Sequence, residues 1–183
     1  MKRFIKIFGI LAIVAIFSVG CDQHPSLQKY YVDSNENAEF LKFDIPVSIL
    51  SLKNEDTSEE VKKTLKSIKK VNFLAFQLKE TNKAEFIDEK QKVKEILKNP
   101  KYQELITIGH GKQSYTVKFL GEEDAIDEVI FFGSDEDRGF ALVRVLGKNM
   151  DPSKMMVLAQ ELKLNGDDGS MKQIESFINN LNL

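Results

Sequence analysis

The hydrophobic positions of the chain follow the period of a helix in some segments and the period of a strand in others. In the segment DTSEEVKKTLKSIKK, Val61, Leu65 and Ile68 stand at i, i+4 and i+7 and share one helical face. Thr57 and Glu60 precede them at the spacing of a capping box. The pattern therefore predicts an amphipathic helix from about Thr57 to the lysines that follow Ile68.

Further helices are predicted from the same two kinds of signal, apolar spacing and terminal residues. Segment 25–33 has the pattern of a short helix, and another short helix is expected near Pro46. Asn82 opens a longer helix that ends at Asn99-Pro100. Asp151 before Pro152 is an N-cap followed by proline at the first helical position. The inward residues are predicted to be Phe86, Val93 and Leu97 in the first of these long helices, and Met155, Leu158 and Leu162 in the second.

A last helix is predicted after the sequence NGDDG. Ser170 and Gln173 cap it, and its apolar residues share one face. Those residues are Met171, Ile174, Ile178 and Leu181.

Strands are predicted where apolar and polar residues alternate, or where a short apolar run stands between turn residues. In YTVKF, Tyr115, Val117 and Phe119 take one face of a half-exposed strand. The run VNFLAFQL is apolar throughout, which suits a central strand covered on both faces. The predicted strands are 40–43, 71–78, 104–109, 114–120, 127–132 and 139–147.

The order of these elements determines the expected fold class. Short polar turns separate the last four strands, and parallel pairing would need crossovers of about a dozen residues, so they are predicted to form an antiparallel meander. Helices stand before and after this meander without strict alternation. We therefore predict a single α+β domain, mainly an antiparallel sheet with α-helices packed on one face.

The N-terminal segment has the pattern of a secretory signal. The chain opens with MKRFIK, which carries three cations, and an apolar run from Ile7 to Val19 follows. This run is too short for a membrane span, which needs about 20 apolar residues. We therefore predict that residues 1–20 are a signal peptide that is absent from the mature protein.

The apolar run ends in FSVGC, and Cys21 is the only cysteine of the chain. Ser18, Val19 and Gly20 resemble the lipobox of bacterial lipoproteins, whose signal peptidase recognises these positions and cuts before a cysteine that is diacylated on sulfur. Ser18 departs from the usual pattern, because Leu, Val or Ile is common there. The resemblance implies lipid attachment at Cys21. The alternatives are a secreted protein with a loose thiol and, less favoured, a cytosolic catalytic cysteine.

Cleavage before Cys21 would leave a short tether, residues 21–26, and one domain, residues 27–183. Extended chain spans at most about 3.3–3.6 Å per residue, so the domain would lie within roughly 20 Å of the lipid. The whole chain has a formal net charge of −2, and loss of the three cations of the leader lowers it to −5. An acidic domain argues against nucleic acid as a partner. A lone cysteine excludes an internal disulfide.

Two acidic segments offer carboxylates that could gather a cation. Asp135, Glu136 and Asp137 stand with Arg138 between two predicted strands, and a hairpin turn is the preferred interpretation. The segment NGDDGS (165–170) lacks the combination of alternating acids, glycine and distal glutamate that an EF-hand needs. It is predicted to be a turn between helices.

The two histidines, His24 and His110, have no metal-binding spacing around them. His110 is interpreted as a turn residue, with a role as general base as the alternative. Serine-hydrolase and phosphate-loop motifs are absent from the sequence. We therefore predict no catalytic residue, no metal ligand and no cofactor.

Five lysines lie on the sides of the first amphipathic helix, opposite its apolar stripe. They are predicted to form a solvated helix face, and contact with anionic lipid headgroups is the alternative. The five are Lys62, Lys63, Lys66, Lys69 and Lys70.

Three segments carry a family resemblance. They are YQELITI, the strand block from SYTVKFL through DEVIFFGSDEDRGFALVRVLG, and GKNMDPSKMMVLAQEL (147–162). With them, most of the mature chain resembles a lipoprotein family common in Bacteroidetes, grouped as domain of unknown function 4252. The resemblance implies a lipoprotein and supplies no catalytic residues.

Together these features predict an exported, lipid-anchored lipoprotein of the cell envelope, at the outer membrane of a Gram-negative bacterium, with a non-enzymatic binding role. The expected partners are the membrane, through the lipid, and either another envelope protein or an apolar ligand held between sheet and helices. The alternatives are an envelope hydrolase without a recognisable motif and a regulatory lipoprotein of an envelope signalling system. An exposed apolar patch would favour an interaction module, and a cleft with a strongly perturbed titratable group would favour an enzyme.

Overall fold

The computed structural model describes residues 25–54, 56–164, 172–174 and 176–177. Four α-helices and two short 3₁₀ helices lie in the main part of the chain. The 3₁₀ helices are Ser34–Glu36 and Val47–Ile49. The α-helices are α1 (Leu27–Asp33), α2 (Glu59–Ser67), α3 (Lys83–Leu97) and α4 (Pro152–Glu161).

The described residues contain eight strands, which form two sheets. The main sheet has six strands in the order β1-β3-β7-β6-β5-β4, and every neighbouring pair is antiparallel. A small antiparallel pair, β2-β8, stands apart from it. The strands are β1 (Phe40–Ile45), β2 (Leu50–Leu52), β3 (Ile68–Gln77), β4 (Gln103–His110), β5 (Gln113–Glu122), β6 (Ala125–Asp135), β7 (Gly139–Met150) and β8 (Leu162–Leu164).

The α+β class and the antiparallel meander predicted from the sequence are confirmed: β4 to β7 follow one another as neighbours, and β3 adds to β7. The helices, however, cover both faces of the sheet and not one. Phe73 and Ala75 of β3 belong to a core that also contains Val61 of α2 and Leu158 of α4. The alternate residues of β3, such as Phe76, belong to a second core under α1 and α3. We call these two sides the α2/α4 face and the α1/α3 face.

Local differences from the predicted elements occur at helix ends. Ser58 and not Thr57 is the N-cap of α2, and its hydroxyl accepts a hydrogen bond from the backbone N–H of Val61 at 3.4 Å. Ile68, predicted on the helical stripe, begins β3, and Leu162 begins β8. At both positions an apolar residue that fits the helical period belongs to a paired strand instead. Pairing with another strand outweighs helix propensity at the end of a helix.

Part of the predicted last helix lies in the described residues. Residues 172–174 and 176–177 are helical, and Ile174 and Phe177 are buried in the core of the α2/α4 face. The predicted cap at Ser170 and the inward residues Met171, Ile178 and Leu181 lie outside the described residues.

Candidate functional site: the free edge of strand β4

Strand β4 forms one edge of the main sheet, and among the described strands it pairs only with β5. All eight of its residues, Gln103–His110, are exposed. Three of them are large apolar residues: Leu105 is 40% exposed, Ile106 38% and Ile108 53%. A long exposed edge with apolar side chains and unpaired backbone groups is a template for pairing with another strand.

A β-bulge places the three apolar side chains of β4 on the same face. The register with β5 shifts between Glu104 and Ile106, which leaves Leu105 as the extra residue. At such a bulge two residues of one strand oppose one residue of the other, so Leu105 and Ile106 both oppose Val117. Val117 belongs to the core of the α2/α4 face, so Leu105 and Ile106 lie on that face as well. Ile108 stands two residues after Ile106 and shares the face with it. The result is an exposed apolar strip along the edge of this face.

The hairpin that joins β4 to β5 determines which backbone groups point outward. Its two turn residues are Gly111 and Lys112, and Gly111 has φ +59°, as the first position of a type II′ turn requires. The closing pair of such a hairpin, His110 and Gln113, exchanges hydrogen bonds, and the pattern alternates along the strand. Thr107 therefore directs its N–H and C=O groups away from β5, and so does Gly109.

The opposite edge of the sheet, β1, is protected in a way that β4 is not. It has only six residues, and the first and last of them, Phe40 and Ile45, are buried. The Lys42 ammonium donates to the carbonyl oxygen of Ser34, and Asp44 accepts from Asn72 and pairs with Lys70 at 3.0 Å. Short length and charged residues are the usual protection of an edge strand. Of the two edges of the main sheet, β4 is therefore the more exposed.

A buried polar cluster on the α1/α3 face was the other candidate site. Arg144 of β7 donates from Nε to Glu128 Oε1 at 2.8 Å and from Nη2 to Glu128 Oε2 at 2.9 Å. Its Nη1 donates to Gln28 Oε1 of α1 at 2.6 Å. Burial alone would lower the pKa of Arg144, but the hydrogen bonds and charge of Glu128 outweigh burial and raise it. The cluster is an ion pair whose charges are satisfied, which ties α1 to the sheet.

Tyr31 extends this cluster toward β3. Its hydroxyl donates to the carbonyl oxygen of Leu142 at 3.0 Å and lies 3.4 Å from that of Asn72. Burial raises the pKa of Tyr31 far above its ordinary value, so the phenol stays protonated. A hydroxyl that remains protonated and bonds to backbone carbonyls positions α1 and does not act as a base.

The predicted hairpin turn at the acidic segment is confirmed. Residues 136–138 form the turn between β6 and β7, and the buried Asp135 accepts from the N–H of Asp137 at 2.8 Å and from Gln113 Nε2 at 3.0 Å. Burial opposes ionisation of Asp135, but these hydrogen bonds outweigh it and lower its pKa. Lys112 pairs with Asp137 at 2.8 Å. In the described part of the chain, no three His, Cys, Asp or Glu residues are placed to hold a metal ion.

The remaining predicted residues do not come together. His110 is the last residue of β4 and is exposed there, in the edge strand and not in the turn. Lys62, Lys63 and Lys66 lie on α2 as predicted, whereas Lys69 and Lys70 lie on β3, so the prediction of one lysine-bearing helix face is wrong for these two. The lipobox residues Ser18, Val19, Gly20 and Cys21, His24 and the segment 165–170 lie outside the described residues.

Sequence reasoning missed the ion pair and the special position of β4. A signal for the pair existed: Arg144 interrupts the apolar run ALVRVL, and Glu128 directly precedes the apolar run VIFF, on strands joined by one hairpin. Opposite charges at such positions are expected to meet across the sheet, because an unpaired buried charge is costly. No sequence signal marked β4 as the edge, because the pattern of apolar and polar residues does not determine the order of the strands in the sheet.

Comparison with known proteins identifies the family. A family model for the domain of unknown function DUF4252 matches residues 30–158. The chain belongs to the DUF4252 family. The DUF4252 match runs from α1 into α4 and contains the whole six-stranded sheet, including β4 and the Arg144–Glu128 pair. No curated protein and no solved structure matches the chain.

None of the helices in the described part of the chain is long and apolar enough to cross a membrane.

Proposed function

We propose that this DUF4252 protein is a lipid-anchored lipoprotein of the bacterial cell envelope that acts, without catalysis, by binding a protein partner through the free edge of β4. The observation that carries the binding role is the exposed apolar strip of Leu105, Ile106 and Ile108, beside backbone groups that no other described strand pairs. The anchor rests on the leader and the cysteine at position 21. The outer membrane of a Gram-negative bacterium is the proposed location.

A protein partner is favoured over an apolar small molecule by the nature of the surface grooves. The groove beside α1, of about 550 Å³, is lined by the charged residues Lys42, Asp44 and Lys70. A groove of about 740 Å³ beside α3 is lined by several lysines and acids. Ligand pockets are predominantly apolar with few polar groups. Among the described residues, the exposed large apolar side chains that lie next to one another are instead those of β4.

The anchor makes a prediction for Cys21. In cells fed an alkyne fatty acid, the full chain is expected to be labelled and to fractionate with membranes, and Cys21→Ala is expected to lose both properties. The reason is that two or more acyl chains hold a protein on a bilayer stably, whereas none of the helices in the described residues could span it. An unlabelled, soluble wild-type chain would overturn the anchor and leave Cys21 a free thiol.

The binding edge makes a second prediction. A photo-reactive amino acid at Ile108 is expected to give covalent protein adducts in intact cells, because a partner strand would lie against this side chain. Ile87 on α3 is the matched control, since it is also an isoleucine and is 61% exposed. Adducts from position 108 and not from position 87 would support the binding edge. Equal adducts from both positions, or adducts from neither, would contradict it.

A further inference from the structure

We infer that the partner of the β4 edge is a second copy of this chain, paired antiparallel through β4 about a two-fold axis at Thr107. This inference rests on the proposed binding edge and names its partner. The result would be one continuous twelve-stranded sheet, made from two six-stranded sheets. In a two-fold interface the same patch serves both copies, so the patch must be complementary to itself.

The backbone of β4 meets this requirement at Thr107. Thr107 and Gly109 direct their N–H and C=O groups to the free edge, as the hairpin geometry requires. With the axis at Thr107, each Thr107 lies opposite the other and exchanges two hydrogen bonds with it. Gly109 of one copy then lies opposite position 105 of the other. At its centre the register therefore joins the outward-directed groups of Thr107 to the same groups of the second copy.

The side chains of β4 also suit pairing with a second copy. The same register sets Ile106 of one copy opposite Ile108 of the other, twice, on the α2/α4 face. Segment 105–109, LITIG, contains no charge, so no like charges meet across the central pairs. On the other face, Thr107 already bonds Thr116 between their Oγ1 atoms at 3.3 Å, and the pairing extends this threonine row into the second copy.

The place where the chain enters the domain fits two copies on one membrane. The axis that relates antiparallel strands in one sheet runs perpendicular to the sheet, so both copies turn the same face to the same side. Helix α1 packs on the α1/α3 face and begins at Leu27, only six residues after Cys21. Both tethers therefore start from the same side of the joined sheet. One bilayer can hold both lipids without twisting either tether around its domain.

The size of this contact indicates where it should be measured. One strand edge buries less than the roughly 800 Å² per partner of a standard interface, so the pairing is expected to be weak in dilute solution. Confinement to a membrane raises the effective concentration of the two edges. The test therefore uses the full chain in its own membranes.

Disulfide cross-linking distinguishes the proposed register from random contact. A cysteine in place of Thr107 would lie on the axis, where paired Cα atoms are about 5.5 Å apart, a distance that a disulfide spans. A cysteine in place of His110, in the same exposed strand, would lie opposite position 104 of the other copy. The two cysteines would then be separated by six residues along the strand, or roughly 20 Å. Under mild oxidation we expect at least ten times more dimer from Thr107→Cys than from His110→Cys. A short bis-maleimide provides a second reagent that does not depend on disulfide geometry.

Each outcome of this experiment decides the inference. Equal dimer from the two variants, or none from either with both reagents, would overturn the two-fold pairing. If position 108 then still gives adducts with another protein, the binding edge stands and only the second copy is excluded. If it gives none, the proposed edge fails as well. Dimer from the wild-type chain would reveal a free Cys21 thiol, and the comparison is then repeated with Cys21→Ser, where positions 107 and 110 still decide the register.

Discussion

Replacing Phe140 with alanine is expected to lower the free energy of unfolding by about 3–5 kcal/mol. Phe140 is fully buried at the start of β7 and packs against four other rings. Its ring stacks on Phe76 with centroids 5.7 Å apart, and the other three centroids lie within 6.2 Å. The four rings come from β1, β3, β6 and α3, so the cavity would open where these four elements meet β7. The three other rings belong to Phe40, Phe86 and Phe132.

Urea unfolding of the chain with Cys21→Ser, which removes the acylation site, measures this loss. Ile87→Ala is the control, because its side chain is exposed and the change is expected to stay within about 0.5 kcal/mol. The slope of the unfolding free energy against urea should remain unchanged in both variants. A loss below 1 kcal/mol for Phe140→Ala would mean that the surrounding rings collapse into the space.

Replacing Arg144 with methionine is expected to cost about as much, roughly 3–5 kcal/mol at neutral pH. The change removes the partner of Glu128, whose carboxylate is buried and takes both of its strong hydrogen bonds from Arg144. It also leaves Gln28 Oε1 of α1 without its donor. The cost arises mainly from an uncompensated buried charge and much less from lost attraction.

A double variant separates this cause from a simple loss of packing. Glu128→Leu/Arg144→Met should recover much of the loss, because apolar replacement of both partners leaves no charge buried. A double variant that is as unstable as Arg144→Met alone would contradict the explanation.

Two observations bear on whether the domain is an interaction module or an enzyme: the groups with a strongly raised pKa and the exposed strip on β4. The groups with strongly raised pKa, Tyr30 and Tyr31, are raised first by burial, and both hydroxyls donate hydrogen bonds inside the fold, Tyr30 to Glu89 at 2.9 Å. Such groups stabilise the contact of α1 with α3 and the sheet. The exposed strip on β4 makes no comparable contribution to the core, and this favours a binding role for it.

Local patterns along the sequence were sufficient to predict most of the elements. The apolar spacing of Phe86, Val93 and Leu97 predicted α3, and Asp151 before Pro152 predicted the start of α4. The alternation in YTVKF and the apolar run at Val71 predicted β5 and β3. These signals succeed because helix and strand periods are properties of neighbouring residues, and each buried face must be apolar at its own period.

The positions of the elements relative to one another followed from long-range packing. The sequence did not indicate that β3 would pair with β7, which leaves β1 and β4 as the two edges. It also did not indicate that α1 and α3 would cover one face and α2 and α4 the other. Strand order and helix side depend on contacts between residues far apart in the chain, and a periodic pattern carries no information about its partner.

The candidate site shows both what local sequence patterns predict and what only long-range packing decides. Sequence alone predicted a strand over 104–109 and an anchor at Cys21, and it predicted an exposed apolar patch as the mark of an interaction module. Only the tertiary structure decided that this strand is an unprotected edge, because exposure depends on what packs beside it. The bulge at Leu105 and the Arg144–Glu128 pair likewise arise from register between strands, which is fixed by the burial of whole faces and not by any one segment.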